Sequence, residues 1–484
     1  MKYYSTNNKD NLVDFKTAVL TGMPDDYGLY MMARQDIPHV SQDELIAMRE
    51  MNYAEIAFLI LHKFLKNEIP EADLKNILDD AYCEKIIPTR IQKLDERIHI
   101  MWLSAGPTYS FKDYAARFLG RVLNYFLTQE KLKRTVVVAT SGDTGGAVAS
   151  ALHNLDNVNN IVFFPRESIS PEQRRQMTTL RNNVYAFAVN GDFDVCQALA
   201  KHLLDDKEFA QNIFGDRERI TSANSISLAR LLPQIVYPFF AYSRMAENME
   251  KIIPNIPSGN FGDMMGTVIA REMGLPIQRI ICAVNENKEF PEFLATGKYR
   301  VEKSIHSPSS AMIVSHPSNL ARLIDFYGGH IYDERDAQSK KIIRAGIINR
   351  MPDMGAMRDD LFSVSINNPD HYLGIKEVYD QYQTIIEPHG AVGWRALAAY
   401  DAAHPEDQKF KQVIYETADP GKFPDEVERA ISVRPEIPPN IQAQSNLAER
   451  IYTIDAPSDN TESGLKLSAT QIQEAKQKIG ELKF

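Results

Sequence analysis

The chain has 484 residues, 44% hydrophobic and 24% charged, the balance of a globular protein with apolar material for two or three compact units. Its formal net charge of -10 argues against nucleic acid or an anionic membrane as the main partner. Three widely spaced cysteines, Cys83, Cys196 and Cys282, argue against a disulfide framework or a structural metal motif and fit a reducing compartment.

The opening MKYYSTNNKDNLVDF is polar and lacks the apolar core of a signal peptide. No apolar run approaches the roughly 20 residues that span a bilayer, so the expectation is a soluble, cytoplasmic protein. From residue 42 to about 90 the apolar residues recur at spacings of three and four, with Pro70 near the start of a second helix. Next comes SAGPTYSFKD, residues 104 to 113, a glycine–proline turn that runs into Lys112 before a helix-like stretch. A lysine chosen at random is a solvated surface cation, and only the rest of the chain can give this one another role.

Beyond it the texture changes. RTVVVAT, NIVFFP, VYAFAV, IIPNIP and QRIICAVN are short, β-branched and apolar; GGAVASALHNL, VCQALAKHLLDD and MMGTVIAREMG between them read as helices. That alternation predicts an α/β fold with mainly parallel sheets covered on both faces. DERDAQSKK (333 to 341) reads as a solvated helix face, and the paired arginines of PEQRRQM (171 to 177) as surface residues. The proline-rich VRPEIPPNIQAQ leads to a tail ending in a helix, SATQIQEAKQKIGELKF. The expected organisation is a mainly helical segment 1–95, α/β segments 96–235 and 236–430, and a C-terminal extension 431–484.

Two strand-to-helix turns share a grammar of glycine and hydroxyl residues. The first is TSGDTGG after VVVA, with its helix predicted to start near Gly145; the second is PSGNFGD after IIPNI. Glycines let the backbone approach a ligand, and the first N–H groups of a helix have no internal partner, so each turn can receive a phosphate or carboxylate. Neither is a Walker motif or GxGxxG. A lysine with two anion cradles matches what pyridoxal phosphate needs: an amine for its aldehyde, N–H donors for its phosphate, and a partner for its ring nitrogen.

Seven blocks in order, GPTYSFKD, ATSGDTGGAV, NGDFDVCQAL, SANSISLARLLPQ, PSGNFGD, EPHGAVGWRAL and TADPGKFP, resemble the threonine synthase family, in its longer bacterial and fungal type. With the opening YYST and FKTAVLTGMPDDYGLY, which also resemble that family's N-terminal segment, they cover roughly residues 1 to 430. The resemblance implies a tryptophan synthase β-like (fold type II) pyridoxal phosphate-dependent α/β fold, two α/β subdomains with an N-terminal helical domain. It implies that Lys112 is catalytic and carries pyridoxal 5'-phosphate. The backbone of Gly259, Asn260, Phe261 and Gly262 holds the cofactor phosphate, and Thr417 meets its ring nitrogen. Ser141, Gly142, Asp143 and Thr144 receive the substrate carboxylate, with Asn224 and Ser225 nearby. The implied substrate is a small molecule, O-phosphohomoserine or a related phosphorylated amino acid, and the implied assembly a monomer or homodimer with no metal, nucleic acid or membrane partner.

Three positions depart from the family pattern: Ala105 where histidine precedes GPT, Ile313 where aspartate is usual, and Asp419 and Gly421 in place of the histidine and alanine of TAHPAKF. They leave open how the substrate's phosphate is held, and so whether the product is threonine or that of a related lyase that only eliminates phosphate. A pseudoenzyme scaffold would need none of Lys112, the PSGNFGD turn and Thr417 together.

Overall fold

The computed structural model describes residues 1–140, 142–167, 169–336, 341–461, 464–482 and 484. The buried apolar runs form two sheets. Five parallel strands lie in the order Ile451–Ile454, Val184–Val189, Val158–Pro165, Arg134–Ala139, Ile220–Ser222. Six strands form the other sheet: Leu361–Ser365, Ile280–Val284, Ile252–Pro257, Lys411–Glu416, Ile98–Trp102, Arg90–Lys93. All neighbours there are parallel except the last pair. Such sheets are stable only with both faces covered, and every residue of Ile252–Pro257 and Ile280–Val284 is buried.

Sequence segments and sheets do not coincide. Ile98–Trp102 precedes the Lys112 turn yet pairs with Lys411–Glu416 in the second sheet, and Ile451–Ile454 from the tail extends the first sheet along Val184–Val189. The N-terminal segment carries the expected helices, Tyr53–Leu65 and Glu71–Ala81, the former opened by a capping box of Asn52 and Glu55. A three-stranded antiparallel sheet of Asn8–Val13, Tyr3–Ser5 and Tyr30–Met31 precedes them. The tail helix forms over Ala469–Gly480.

One expectation fails. The start of DERDAQSKK is not a helix face but the end of the strand His330–Arg335, paired antiparallel with Ile342–Arg350; residues 337–340 lie outside the described residues. A two-stranded ribbon with solvent on its edges accepts alternating charges as readily as a helix face does.

Aromatic packing fixes the Lys112 helix, Lys112–Glu130, against the rest. Tyr114 meets Tyr53 of the N-terminal helix at 5.1 Å and Tyr237 at 5.6 Å, and Tyr237 meets Tyr415 of the central strand at 6.4 Å. Each such edge contact adds about 0.5–1.5 kcal/mol beyond the area it buries.

Candidate active site

The described residues of the predicted constellation follow the carboxyl ends of strands, where ligands bind in open parallel sheets. The Lys112 turn follows Ile98–Trp102, Gly142 to Thr144 follow Arg134–Ala139, Asn224 and Ser225 follow Ile220–Ser222, Gly259 to Gly262 follow Ile252–Pro257, and Thr417 follows Lys411–Glu416. In the six-stranded sheet, Lys411–Glu416 lies between Ile252–Pro257 and Ile98–Trp102. Strand order thus sets Thr417 between the second glycine turn and the lysine turn.

The lysine turn is built by its own polar residues. Asp113, 1% exposed, accepts from Thr108 N and Oγ1 at 2.8 and 2.7 Å, and a Cβ at Gly106 would stand 2.4 Å from the Asp113 carboxylate. Phe111 N donates to Thr417 O at 2.8 Å and Asp419 N to Tyr109 O at 3.1 Å, stitching the lysine and threonine segments together. The Lys112 side chain is 14% exposed, and its Nζ lies 3.9 Å from Asp143 Oδ2. Burial pushes the Lys112 amine below the ordinary lysine range; Asp143 opposes this, while Lys422 and Arg230 add to it.

The second glycine turn ends at Phe261, which has φ 62, and starts the helix Gly262–Glu272; among the described residues no side chain caps it. A bulky residue adopts that φ only when its surroundings hold it. Phe261 is 1% exposed and edge-on to Phe290 at 4.9 Å. A Cβ at Gly259 would stand 2.7 Å from Ala311 O, and one at Gly262 2.8 Å from Gln234 Nε2. Asn260 accepts from Ser318 N and Asn319 N, Ser318 Oγ lies 3.2 Å from Ser225 Oγ, and Asn319 Nδ2 reaches Ser225 O. Ser225 therefore sits beside the turn. Behind it the fully buried Arg322 donates to Asn319 Oδ1, Ile226 O and Tyr30 O, and burial pushes its guanidinium down to about 9. Asp263, one residue into the helix, is pushed up to about 6 by burial.

In the first glycine turn Gly142 has φ 149, and Thr140 Oγ1 accepts from both Gly142 N and Gly145 N at 2.9 Å. Its helix starts at Asp143 rather than near Gly145, as Asp143–Leu152; the threonine hydroxyl caps the turn earlier than the glycine pair suggests. Thr144 is half-buried, and Ser141 lies outside the described residues. Asp143 faces inward, and its Oδ1 lies 2.6 Å from Lys422 Nζ and 3.1 Å from Gln173 Nε2. Burial alone would raise this carboxyl, but Lys422, then Lys112 and His389, hold it well below the usual range.

Lys422 and Gln173 were not singled out from the sequence. The helix Pro171–Thr178 that carries Gln173 is anchored by the supposed surface arginines: Arg174 grips Glu449 with two bonds of 2.9 Å, and Arg175 donates to Ser445 O. The tail thereby braces one wall of the site. Ala105 and Ile313 are half-buried. Asp419 caps its own turn through Gly421 N at 2.8 Å, close to a buried acid pair in which Glu387 N donates to Glu416 and Glu387 holds His389 Nδ1 at 2.5 Å. Burial, then Glu387, raises Glu416 well above the carboxylate range.

A buried amine of lowered basicity, an uncapped helix start with close-approach glycines, and a hydroxyl residue between them fit pyridoxal phosphate. The fold is that of the fold type II pyridoxal-phosphate-dependent enzymes, whose family model matches residues 85–414. The threonine synthase N terminus matches residues 2–82 and the threonine synthase C-terminal region residues 390–463. The chain is 33% identical to the threonine synthase of Methylobacillus glycogenes over 94% of its length and 97% of that protein. Pyridoxal phosphate-bound threonine synthase from Brucella melitensis superposes with a TM-score of 0.86 at 29% identity, covering 99% of both chains. Yeast threonine synthase gives 0.85 at 28% identity, over 99% of this chain and 98% of that one. The chain belongs to the threonine synthase family and is a pyridoxal phosphate-dependent lyase of that kind. No described helix is long and apolar enough to cross a membrane.

Proposed function

We propose that the chain converts O-phospho-L-homoserine and water to L-threonine and phosphate, with pyridoxal 5'-phosphate carried on Lys112. The observation that supports this best is the meeting of Lys112, the Gly259–Gly262 turn and Thr417 at three adjacent strand ends. When bound, the cofactor supplies an electron-withdrawing ring that accepts negative charge from substrate carbon.

The chain's residues do the rest. Backbone N–H groups of Gly259, Asn260, Phe261 and Gly262 hold the cofactor phosphate, aided by the positive end of the Gly262–Glu272 helix. The Thr417 hydroxyl meets the ring nitrogen without charging it. The Lys112 amine, its basicity lowered by burial, takes and returns protons at the α and β carbons. Thr144, Asn224 and Ser225 hold the substrate's polar groups, with Ser141, Gly142 and Asp143 framing the carboxylate end. Because Thr140 occupies the Gly142 N–H, the carboxylate depends there on Thr144 and the helix start.

The test is the purified protein supplied with O-phosphohomoserine. Threonine and phosphate in equal amounts are expected. A keto acid in place of threonine would replace this reading with the phosphate-eliminating lyase.

A further inference from the structure

Lys422 is 1% exposed at its side chain, and its ammonium donates to Asp143 Oδ1 at 2.6 Å and to Thr108 O at 2.9 Å. The other Asp143 oxygen lies 3.9 Å from Lys112 Nζ. One buried carboxylate is thus held between two lysines from different parts of the fold: Lys422 from the turn Pro420–Lys422, Lys112 from the start of its own helix. A desolvated carboxylate that stays ionised without a set of backbone donors needs an opposite charge close by. If Lys112 alone supplied it, its amine would be fixed as an ammonium, which neither adds to an aldehyde nor accepts a proton.

We propose that Lys422 is a positioning residue: it pairs with Asp143 and so leaves the Lys112 amine free to lose its proton while Asp143 keeps that amine in place. The proposal rests on the reading of Lys112 as the cofactor-bearing lysine. Besides Asp143 and Lys422, the charged groups that face Lys112 are Arg230 and Asp263. Arg230 donates to Ala223 O at 2.8 Å and Asp263 accepts from Met264 N at 2.9 Å. Around Asp143 the remaining charged group is His389, whose Nδ1 is held by Glu387. Asp113, which also feels Lys422, is occupied by Thr108. Of these groups Lys422 is the one in direct contact with Asp143. The same pairing removes a bare negative charge from the turn that would otherwise repel an anionic substrate.

The test uses full-length protein freed of cofactor and reloaded with pyridoxal phosphate, following the visible absorbance that develops at each pH. Loading joins Lys112 Nζ to the aldehyde carbon and releases water, and only the uncharged amine reacts. Lys422→Met is expected to move the pH midpoint of the loading rate upward by about one unit or more, because Asp143 then pairs with Lys112 alone. Asp143→Asn moves it downward, Lys422→Arg stays near wild type, and the double variant D143N/K422M returns towards it. Opposite shifts that cancel are not produced by general damage to the fold, which thermal melting of each variant monitors separately. An unchanged midpoint in K422M, or a double variant displaced as far as K422M, overturns the proposal. If K422M does not fold, an unchanged midpoint in D143N overturns it equally. Wild-type protein that gains no absorbance overturns the Lys112 reading together with this one; wild type that loads normally while all variants share its midpoint overturns this one alone.

Discussion

The two glycine turns share a written pattern but not a physical character. At Gly142 to Gly145 two of the freed N–H groups, those of Gly142 and Gly145, are already taken by Thr140 Oγ1, and the turn brings its own buried carboxylate, Asp143, to two lysines. At Gly259 to Gly262 no described side chain caps the helix, and Phe261 is held at φ 62 with neighbours crowding both glycines. The second turn is shaped to receive an anion; the first is shaped to hold charge near Lys112. Glycine spacing alone announces a close backbone approach, and the polar side chains around it decide what approaches.

Replacing the Lys112 amine, which the proposed reaction needs, gives the largest expected effect. Lys112→Ala should lose threonine formation to below detection and lose the visible absorbance of the loaded protein; spectra and product assay check both. Next is Asp263→Asn, in the second turn's helix. The folded carboxyl sits at about 6 against an ordinary 3.8, so the folded protein binds this proton more tightly than the unfolded chain does. The aspartate therefore costs stability progressively as pH rises from about 4 to 6 and fully above that, on the order of 3 kcal/mol. Melting of the cofactor-free D263N protein should rise relative to wild type at pH 7.5 and match it near pH 4.

Gly259→Ala drives a Cβ to 2.7 Å from a backbone carbonyl, which cannot rotate away. Overpacking of about 1–3 kcal/mol predicts cofactor binding weakened about tenfold to a hundredfold, read by titration of the absorbance. Gly142→Ala sharpens the contrast. The nearest atoms to its new Cβ belong to the movable Gln173 side chain, at 2.3 Å, but its φ of 149 costs about 1–3 kcal/mol. The substrate KM should rise about tenfold while cofactor affinity stays unchanged; the reverse pattern would mean the two turns have exchanged roles.

Much of this site is legible along the chain because its parts are local. The glycine turns, the lysine after GPTYSF and the apolar runs are each readable within a dozen residues, and the strand ends then align them. Lys422 was not legible as more than a cation after a glycine: its burial comes from Asp143 and Thr108, far away in sequence. Arg174 and Arg175 read as surface residues for the same reason, since Glu449 and Ser445 reach them from the tail. The hairpin at His330–Arg335 was missed because alternating charges fit either a helix face or an exposed ribbon. The pairing of Ile98–Trp102 with Lys411–Glu416 is likewise a property of topology rather than of either segment.

Two buried lysines share one carboxylate here, so the central assignment is best tested by asking which of them takes the cofactor. Reduction of the loaded full-length protein with borohydride, followed by peptide mass mapping, should place the pyridoxyl group on Lys112. A pyridoxyl group on Lys422 or any other lysine, with Lys112 unmodified, would contradict the account.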